Sequence, residues 1–363
     1  MTAAAGRTDQ ASPMLEDIRR QPRVAAELLA RQAELAGFAA AHLRPGAGGR
    51  LYLFGSGDGW FAARAAAPFA APGGPKVRPA STLPFLLEVA PELGNQDRAL
   101  AISMSGNVDR TLEAAEAAQA RGAGVALLTN GAGGRVGALG VPRLSLGLPE
   151  IAPFLCGTAT YTASLLALRL LLDANAGAKL AGLPEALART LERSDDLIAD
   201  WADPFSGVRV LTLGTALATA DYGAAKLVEV TRTPAWTDDL EEFAHRQFWI
   251  ADPSELVVLL PPTAAAARYA DATAVALRGM GFTVTALETE SATVPNASWR
   301  LRLPEAAEDA WPILAAVPLQ LLAWHLARVS GLDPDTRAHL RDDERRFRTS
   351  RLLTRRSLVG TGQ

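Results

Sequence analysis

The feature that most constrains this chain is a repeated unit in which a short apolar run ends abruptly on a small polar turn and passes into a helical pattern. Arg50-Leu-Tyr-Leu-Phe54 closes on Gly55-Ser-Gly-Asp-Gly59 before a helix over 60–70, and Arg98–Ile102 closes on Ser103-Met-Ser-Gly106 before a helix over 108–121. Gly124–Leu128 then ends at Thr129-Asn130. A second round follows, with Gly207–Leu213 ending on Gly214-Thr-Ala216 before a helix over 218–231. Glu255–Leu260 ends on Pro261-Pro-Thr263 before a helix over 264–280, and Phe282–Ala286 completes the round. Strands that are apolar throughout and alternate with helices imply a parallel sheet covered on both faces, the α/β class. The same order in both halves implies duplicated α/β domains, each expected to bury its own core.

Length agrees, since 363 residues exceed the usual single domain. The expected division is a leader over 1–13, a first domain with an N-terminal helical arm over 14–190, a second domain over 191–340, and an Arg-rich tail over 341–363. In the arm, Gln21-Pro22 interrupts the helical spacing where proline suits a first turn. A net charge of -3 gives no general attraction to nucleic acid or to an anionic membrane surface. Cys156 is the sole cysteine, which excludes an internal disulfide and a cysteine metal cluster and favours a cytoplasmic setting. The first residues lack the apolar stretch of a secretory signal. The apolar runs Leu155–Leu172 and Ile313–Leu326 are broken by Arg169 and by Pro318 and His325, so neither is expected to span a membrane.

In open parallel sheets, ligands gather beyond the carboxyl ends of the strands, at turns and helix starts. That singles out Gly55–Gly59, Ser103–Asp109 and Gly214–Ala216. In the first turn the third glycine comes one residue too early for a dinucleotide loop, so no organic cofactor is expected. Ser103 and Ser105 can both face an anion, although one serine could simply cap the helix that follows. His42, His325 and His339 lack neighbours at metal-ligand spacing, so no metal is expected, and Cys156 reads as a small buried filler.

Several stretches together resemble the sugar isomerase (SIS) family in its double-domain form, the isomerase half of glucosamine-6-phosphate synthase and free-standing ketosamine-phosphate isomerases and deglycases. They are Glu16-Asp-Ile18 with Gln21-Pro22, Ala101-Ile-Ser-Met-Ser-Gly106 with the helix after it, Gly223-Ala-Ala-Lys226-Leu-Val-Glu229, Glu241-Glu242-Phe-Ala-His245, and Pro318-Leu-Gln-Leu-Leu-Ala-Trp-His325 with Gly331-Leu-Asp333. The resemblance covers about residues 14–340. It implies two tandem SIS domains and a homodimer with shared sites. It further implies that Glu229 moves a substrate carbon proton beside Lys226, while His245, from the partner subunit, assists ring opening. Ser56, Ser103, Ser105, Gly106, Asn107 and Glu242 would then surround a sugar or amino sugar, phosphorylated in the family's manner. The chemistry is coherent, because aldose-ketose isomerisation needs a carboxylate between adjacent carbons and a near-neutral imidazole at the ring oxygen.

The departures from the family pattern are specific. Asn107-Val108 follows Gly106 where the family carries Glu-Thr, Met104 replaces the glutamine between the serines, and Gly57 removes a hydroxyl from the first turn. Arg246-Gln247 follows His245 where the family has Gly-Pro. The lysines are Lys76, Lys179 and Lys226, so the family's C-terminal Schiff-base lysine has no counterpart; Arg341 lies near that place and cannot form an imine. No cysteine follows Met1, so a glutaminase half is not expected. The implied activity is that of a sugar isomerase, deglycase or deaminase, and the alternative is a noncatalytic module that binds a sugar phosphate. The Arg-rich tail either covers the site or forms a solvated helix face.

Overall fold

Each short apolar run of the repeated unit lies in a parallel strand, whereas the longer runs Leu155–Leu172 and Ile313–Leu326 lie mainly in helices. The computed structural model describes residues 12–199, 204–306 and 308–355. The first sheet contains β1 (Leu51–Gly55), β2 (Val77–Ser81), β3 (Arg98–Ile102), β4 (Gly124–Thr129) and β5 (Arg143–Ser145), in the order β2-β1-β3-β4-β5. The second contains β6 (Val208–Thr212), β7 (Ala235–Asp239), β8 (Leu256–Leu260), β9 (Thr283–Glu288) and β10 (Trp299–Arg302), in the order β10-β9-β8-β6-β7. Counted from its own first strand, the second sheet repeats the order of the first, and every pairing is parallel. The strand order reverses between β1 and β3, where Gly55 pairs with Ile102, so the Gly55 and Ser103 turns emerge side by side. Such a switch point is where a doubly wound sheet opens a crevice for ligand.

Each half buries a cluster of its own on the outer face of its sheet, as expected, but the inner faces share a core. One continuous apolar cluster joins Leu51 and Leu53 of the first sheet, Val208 and Val210 of the second, and Met14 and Ile18 of the arm. Strand alternation explains this, because Leu51 and Leu53 face the shared interior while Tyr52 and Phe54 face outward into a smaller cluster. A matching outer cluster gathers Leu211, Val257 and Phe243 on the second sheet.

The arm is built into this centre. Ser12 caps the helix Pro13–Arg19, and a second helix, Gln21–Ala30, carries Pro22 in its first turn. Buried Asp17 accepts from the Ala159 backbone N–H at 2.9 Å. Buried Gln21 donates to Gln320 Oε1 at 2.7 Å and accepts from Thr162 Oγ1 at 2.7 Å, which ties the arm to both halves. The helix Trp311–Val329 is long and apolar enough to cross a membrane, yet most of it is buried in the protein, packed on the helix Leu217–Thr231. The expected domain boundary at 190 falls within the helix Leu183–Ala199.

Candidate functional site

The crevice between the Gly55 and Ser103 turns is a cleft of about 290 Å³ that brings Ser56, Ser103 and Ser105 together. Ser103 is buried and its Oγ accepts from the Gly106 N–H at 3.2 Å, while the exposed Ser105 accepts from the Asn107 N–H at 3.3 Å. Gly106 takes φ +63°, and a Cβ there would lie 1.7 Å from the Gly133 carbonyl oxygen, so the loop requires glycine. Asn107 turns away to brace the loop, its Oδ1 accepting from the Arg135 N–H at 3.2 Å. Ser56 Oγ donates to Thr82 Oγ1 at 2.9 Å. Met104 and Val108 also line the cleft, as does Asp58.

Asp58 links this cleft to the second half of the chain. Lys226 and Glu229 share one face of the helix Leu217–Thr231, and Lys226 Nζ stands 2.6 Å from Glu229 Oε2 and 3.0 Å from Asp58 Oδ1. The other Glu229 oxygen is paired with the Arg337 guanidinium, whose Nε donates to the Phe154 carbonyl at 2.9 Å and whose plane lies 4.5 Å from the Phe154 ring. The Lys226 and Arg337 side chains are nearly buried, whereas that of Glu229 keeps 32% of its surface open. Burial pushes the Glu229 carboxyl up, but Lys226 and Arg337 outweigh it and hold its pKa below the usual carboxylate range. Burial opposes the Lys226 charge as well, and Asp58 and Glu229 overcome it, raising the lysine. Asp58 is raised, because burial prevails over the pull of Lys226. Two carboxylates and two basic side chains thus alternate from the cleft to the stretch after the last long helix.

Asp58 and Arg337 were not among the residues expected from sequence. Asp58 reads as part of a glycine turn, and its partner is remote in the chain. Arg337 adopts a left-handed backbone, φ +48°, beyond the Gly331-Leu-Asp333 turn, and one arginine among many carries no distinguishing sequence signal.

His245 and Glu242 are placed elsewhere. Both are exposed on the short helix Glu242–His245 after β7, and His245 Nε2 lies 3.5 Å from Glu241 Oε1. Among the described residues, no hydrogen bond or ion pair within the chain joins His245 to Lys226 or Glu229. Arg246 pairs with Asp238, and Gln247 Nε2 donates to the Thr237 carbonyl at 3.0 Å, so the residues replacing Gly-Pro fasten this loop to β7. Trp236 lies against the Arg209 guanidinium at 4.6 Å, while Trp249 is 78% exposed beside the loop. Arg341 rests against Phe154 at 5.3 Å. The tail helix Glu344–Arg355 meets the helix that follows the serine loop, where the Leu353 carbonyl accepts from Arg110 at 2.6 Å. Cys156 is buried 3.8 Å from Met14 Sδ, and burial pushes its thiol up to about 12, which suits a packing role.

No family model matches the chain. In sequence it is 28% identical over 268 residues to the isomerizing glutamine–fructose-6-phosphate aminotransferase of Thermotoga maritima, a match covering 68% of this chain and 43% of that protein. The Pyrococcus horikoshii protein of the same name is 28% identical over 280 residues, covering 70% and 46%. The chain thus spans less than half the length of these curated relatives. Among solved structures, tagatose-6-phosphate ketose/aldose isomerase from Escherichia coli aligns with a TM-score of 0.74 at 18% identity, covering 92% of this chain and 98% of that one. Glucosamine-6-phosphate deaminase from Thermotoga maritima aligns at 0.72 and 18%, covering 90% and 98%. The C-terminal domain of glucosamine-fructose-6-phosphate aminotransferase from Francisella tularensis aligns at 0.72 and 16%, covering 91% and 100%. The two parallel five-stranded sheets with their flanking helices have the fold of tandem SIS domains.

Proposed function

We propose that this chain is a sugar or amino-sugar isomerase, or a ketosamine deglycase or deaminase, in which Glu229 is the proton-moving base. The observation that carries this reading is the Lys226–Glu229 pair. A carboxylate kept ionised by buried cations, yet 32% open, stands where the two halves meet and is joined through Asp58 to the hydroxyl-lined cleft. In isomerisation Glu229 takes the proton from the carbon beside the substrate carbonyl and returns it to the former carbonyl carbon, while the hydroxyl proton passes to the former carbonyl oxygen, so carbonyl and hydroxyl exchange places with no change in composition; in deglycation or deamination water then replaces the amine that leaves. Lys226 holds charge beside the enediolate that forms between these steps. His245 serves the ring oxygen from the neighbouring subunit of a cytoplasmic homodimer, a reading supported by its exposure and by its pairing with Glu241 rather than with Glu229 within one chain. The names of the relatives, which speak of isomerising and deaminating sugar phosphates, support this class of chemistry.

One observation favours a noncatalytic sugar-binding module instead: both Glu229 oxygens are engaged, by Lys226 and by Arg337. Glu229→Gln separates the two readings. It keeps shape and removes the base, so turnover of the wild-type substrate, found by screening hexoses, hexosamines and their 6-phosphates, falls about a hundredfold or more while binding is retained. Unchanged turnover in that variant, or a wild type that binds sugar and exchanges no carbon-bound proton with deuterated water, would contradict the base assignment.

A further inference from the structure

The cleft carries a charge of the wrong sign for the phosphate that its serine loop leads one to expect. Around it stand the hydroxyls of Ser56, Ser103, Ser105, Thr111, Thr160 and Tyr161, and its one charged lining residue is Asp58, with neither lysine nor arginine on the wall. Phosphate sites in proteins combine backbone N–H groups with a helix N-terminus and usually a cation. Here the three helix starts that face the cleft already hold a carboxylate of the protein, Asp17 accepting from the Ala159 N–H at 2.9 Å at the start of the helix Ala159–Leu172. Asp58 is the first residue of the helix Asp58–Ala66, and Asp109, paired with Arg135, is the first residue of the helix Asp109–Ala120. The loop N–H groups of Gly106 and Asn107 are bonded to the hydroxyls of Ser103 and Ser105. Ile102, Met104 and Val108 add apolar surface to the wall, and Ser164 a further hydroxyl. Lys226 reaches Asp58 from behind at 3.0 Å, is only 4% exposed, and is shared with Glu229, so its charge is spent on carboxylates rather than presented to the cleft.

We propose that the cleft binds the hydroxyl- or ammonium-bearing end of a non-phosphorylated sugar, and that Asp58 is the residue that excludes phosphate. This rests on the reading of the chain as a sugar-binding enzyme and narrows its substrate class. Asp58 accepts hydrogen bonds from sugar hydroxyls or an amino group, while a phosphate dianion in the same space meets a like charge in a partly buried setting.

Calorimetric titration with inorganic phosphate, glucosamine and glucosamine 6-phosphate tests the proposal on the intact chain, comparing wild type with Asp58→Asn and Asp58→Ser after circular dichroism has shown that each variant is folded. The wild type is expected to take up no inorganic phosphate saturably and to prefer glucosamine to its 6-phosphate. Loss of the Asp58 charge is expected to create or tighten phosphate binding by about tenfold or more and to weaken the amino sugar. Phosphate binding by the wild type, a wild-type preference for the 6-phosphate, or folded variants that gain nothing for phosphate would each overturn it. If neither variant folds, the wild-type order of affinities decides, and uptake of none of the three probes by the wild type would then count against it. Equilibrium binding needs no proton transfer, so this outcome and the Glu229 test fail independently.

Discussion

Glu229 is held from two sides, and that grip has a measurable pH signature. Because Lys226 and Arg337 lower its pKa in the folded state, Glu229 contributes stability that is present above the unfolded carboxylate value of about 4.3 and is lost as pH falls through the lower folded value. Lys226 is raised, so its contribution is present below about 10.4 and lost only as pH rises through the folded value. Asp58 runs the other way, since burial raises it and its ionisation costs stability as pH rises. Arg337→Ala leaves the Glu229 charge short of one partner in a mostly buried place. The expected loss is about 3 kcal/mol at pH 7, the lower end for breaking a buried pair, and it shrinks as pH falls below about 4. Urea unfolding of both proteins at pH 7 and at pH 3.5 checks this, and an equal difference at the two values would mean that Arg337 acts through Phe154 packing alone. Lys226 and Glu229 were legible in the sequence through the family resemblance, because its Lys-to-Glu spacing of three is local; that spacing alone reads as an ordinary surface pair. Their partners Asp58 and Arg337 were not, because the chain brings them from 168 and 108 residues away.

At the scale of elements, the Leu217–Thr231 and Trp311–Val329 helices set the position of the Lys226–Glu229 face, and Gly223 sets their separation. A Cβ at Gly223 would come within 2.5 Å of Leu319 Cδ1 and 3.0 Å of Leu319 Cβ, and the latter atom cannot swing aside. Gly223→Val is therefore expected to destabilise by about 1–3 kcal/mol through overpacking. At Gly279, in the last turn of the helix Ala264–Gly279, nothing lies within 4 Å of an added Cβ, and Gly279→Ala is expected to gain up to about 1 kcal/mol. Denaturation midpoints for the pair check the contrast, and a Gly223→Val protein as stable as wild type would show that the helices repack freely. The elements also show which parts of the fold a sequence displays. The inner strands β1, β3, β4, β6, β8 and β9 stand out as apolar runs because neighbours cover them. The strands that went unseen, β2, β5, β7 and β10, are the four sheet edges. β2 carries Arg78 and Pro79, β5 has three residues, β7 ends in Asp238-Asp239, and β10 alternates as Trp299-Arg-Leu-Arg302. Edges need only one covered side and resist further pairing with charge and proline, so they lose the signature that marks an inner strand.

At the scale of the whole molecule, a duplicated sequence has produced one centre rather than two. The cluster joining both sheets and the arm is shared by the two halves, each of which adds only a smaller outer cluster, so the chain is expected to unfold in a single transition, with Trp60 and Trp236 fluorescence reporting the same midpoint in variants whose sole tryptophan is one or the other. Two separated midpoints would contradict the shared core. The same centre places the Glu229 face between the halves and leaves the His245 loop exposed on the second, and the proposed site takes its imidazole from a second subunit. The most direct test of that claim mixes Glu229→Gln chains with His245→Asn chains under conditions of verified subunit exchange, each variant being inactive alone. Equal amounts reassort so that about half the dimers are mixed, each with one site holding both intact residues and one holding neither, and activity of about a quarter of wild type is expected. Recovery to that level supports a base and an imidazole contributed by different chains; no recovery in verified heterodimers would contradict the shared site.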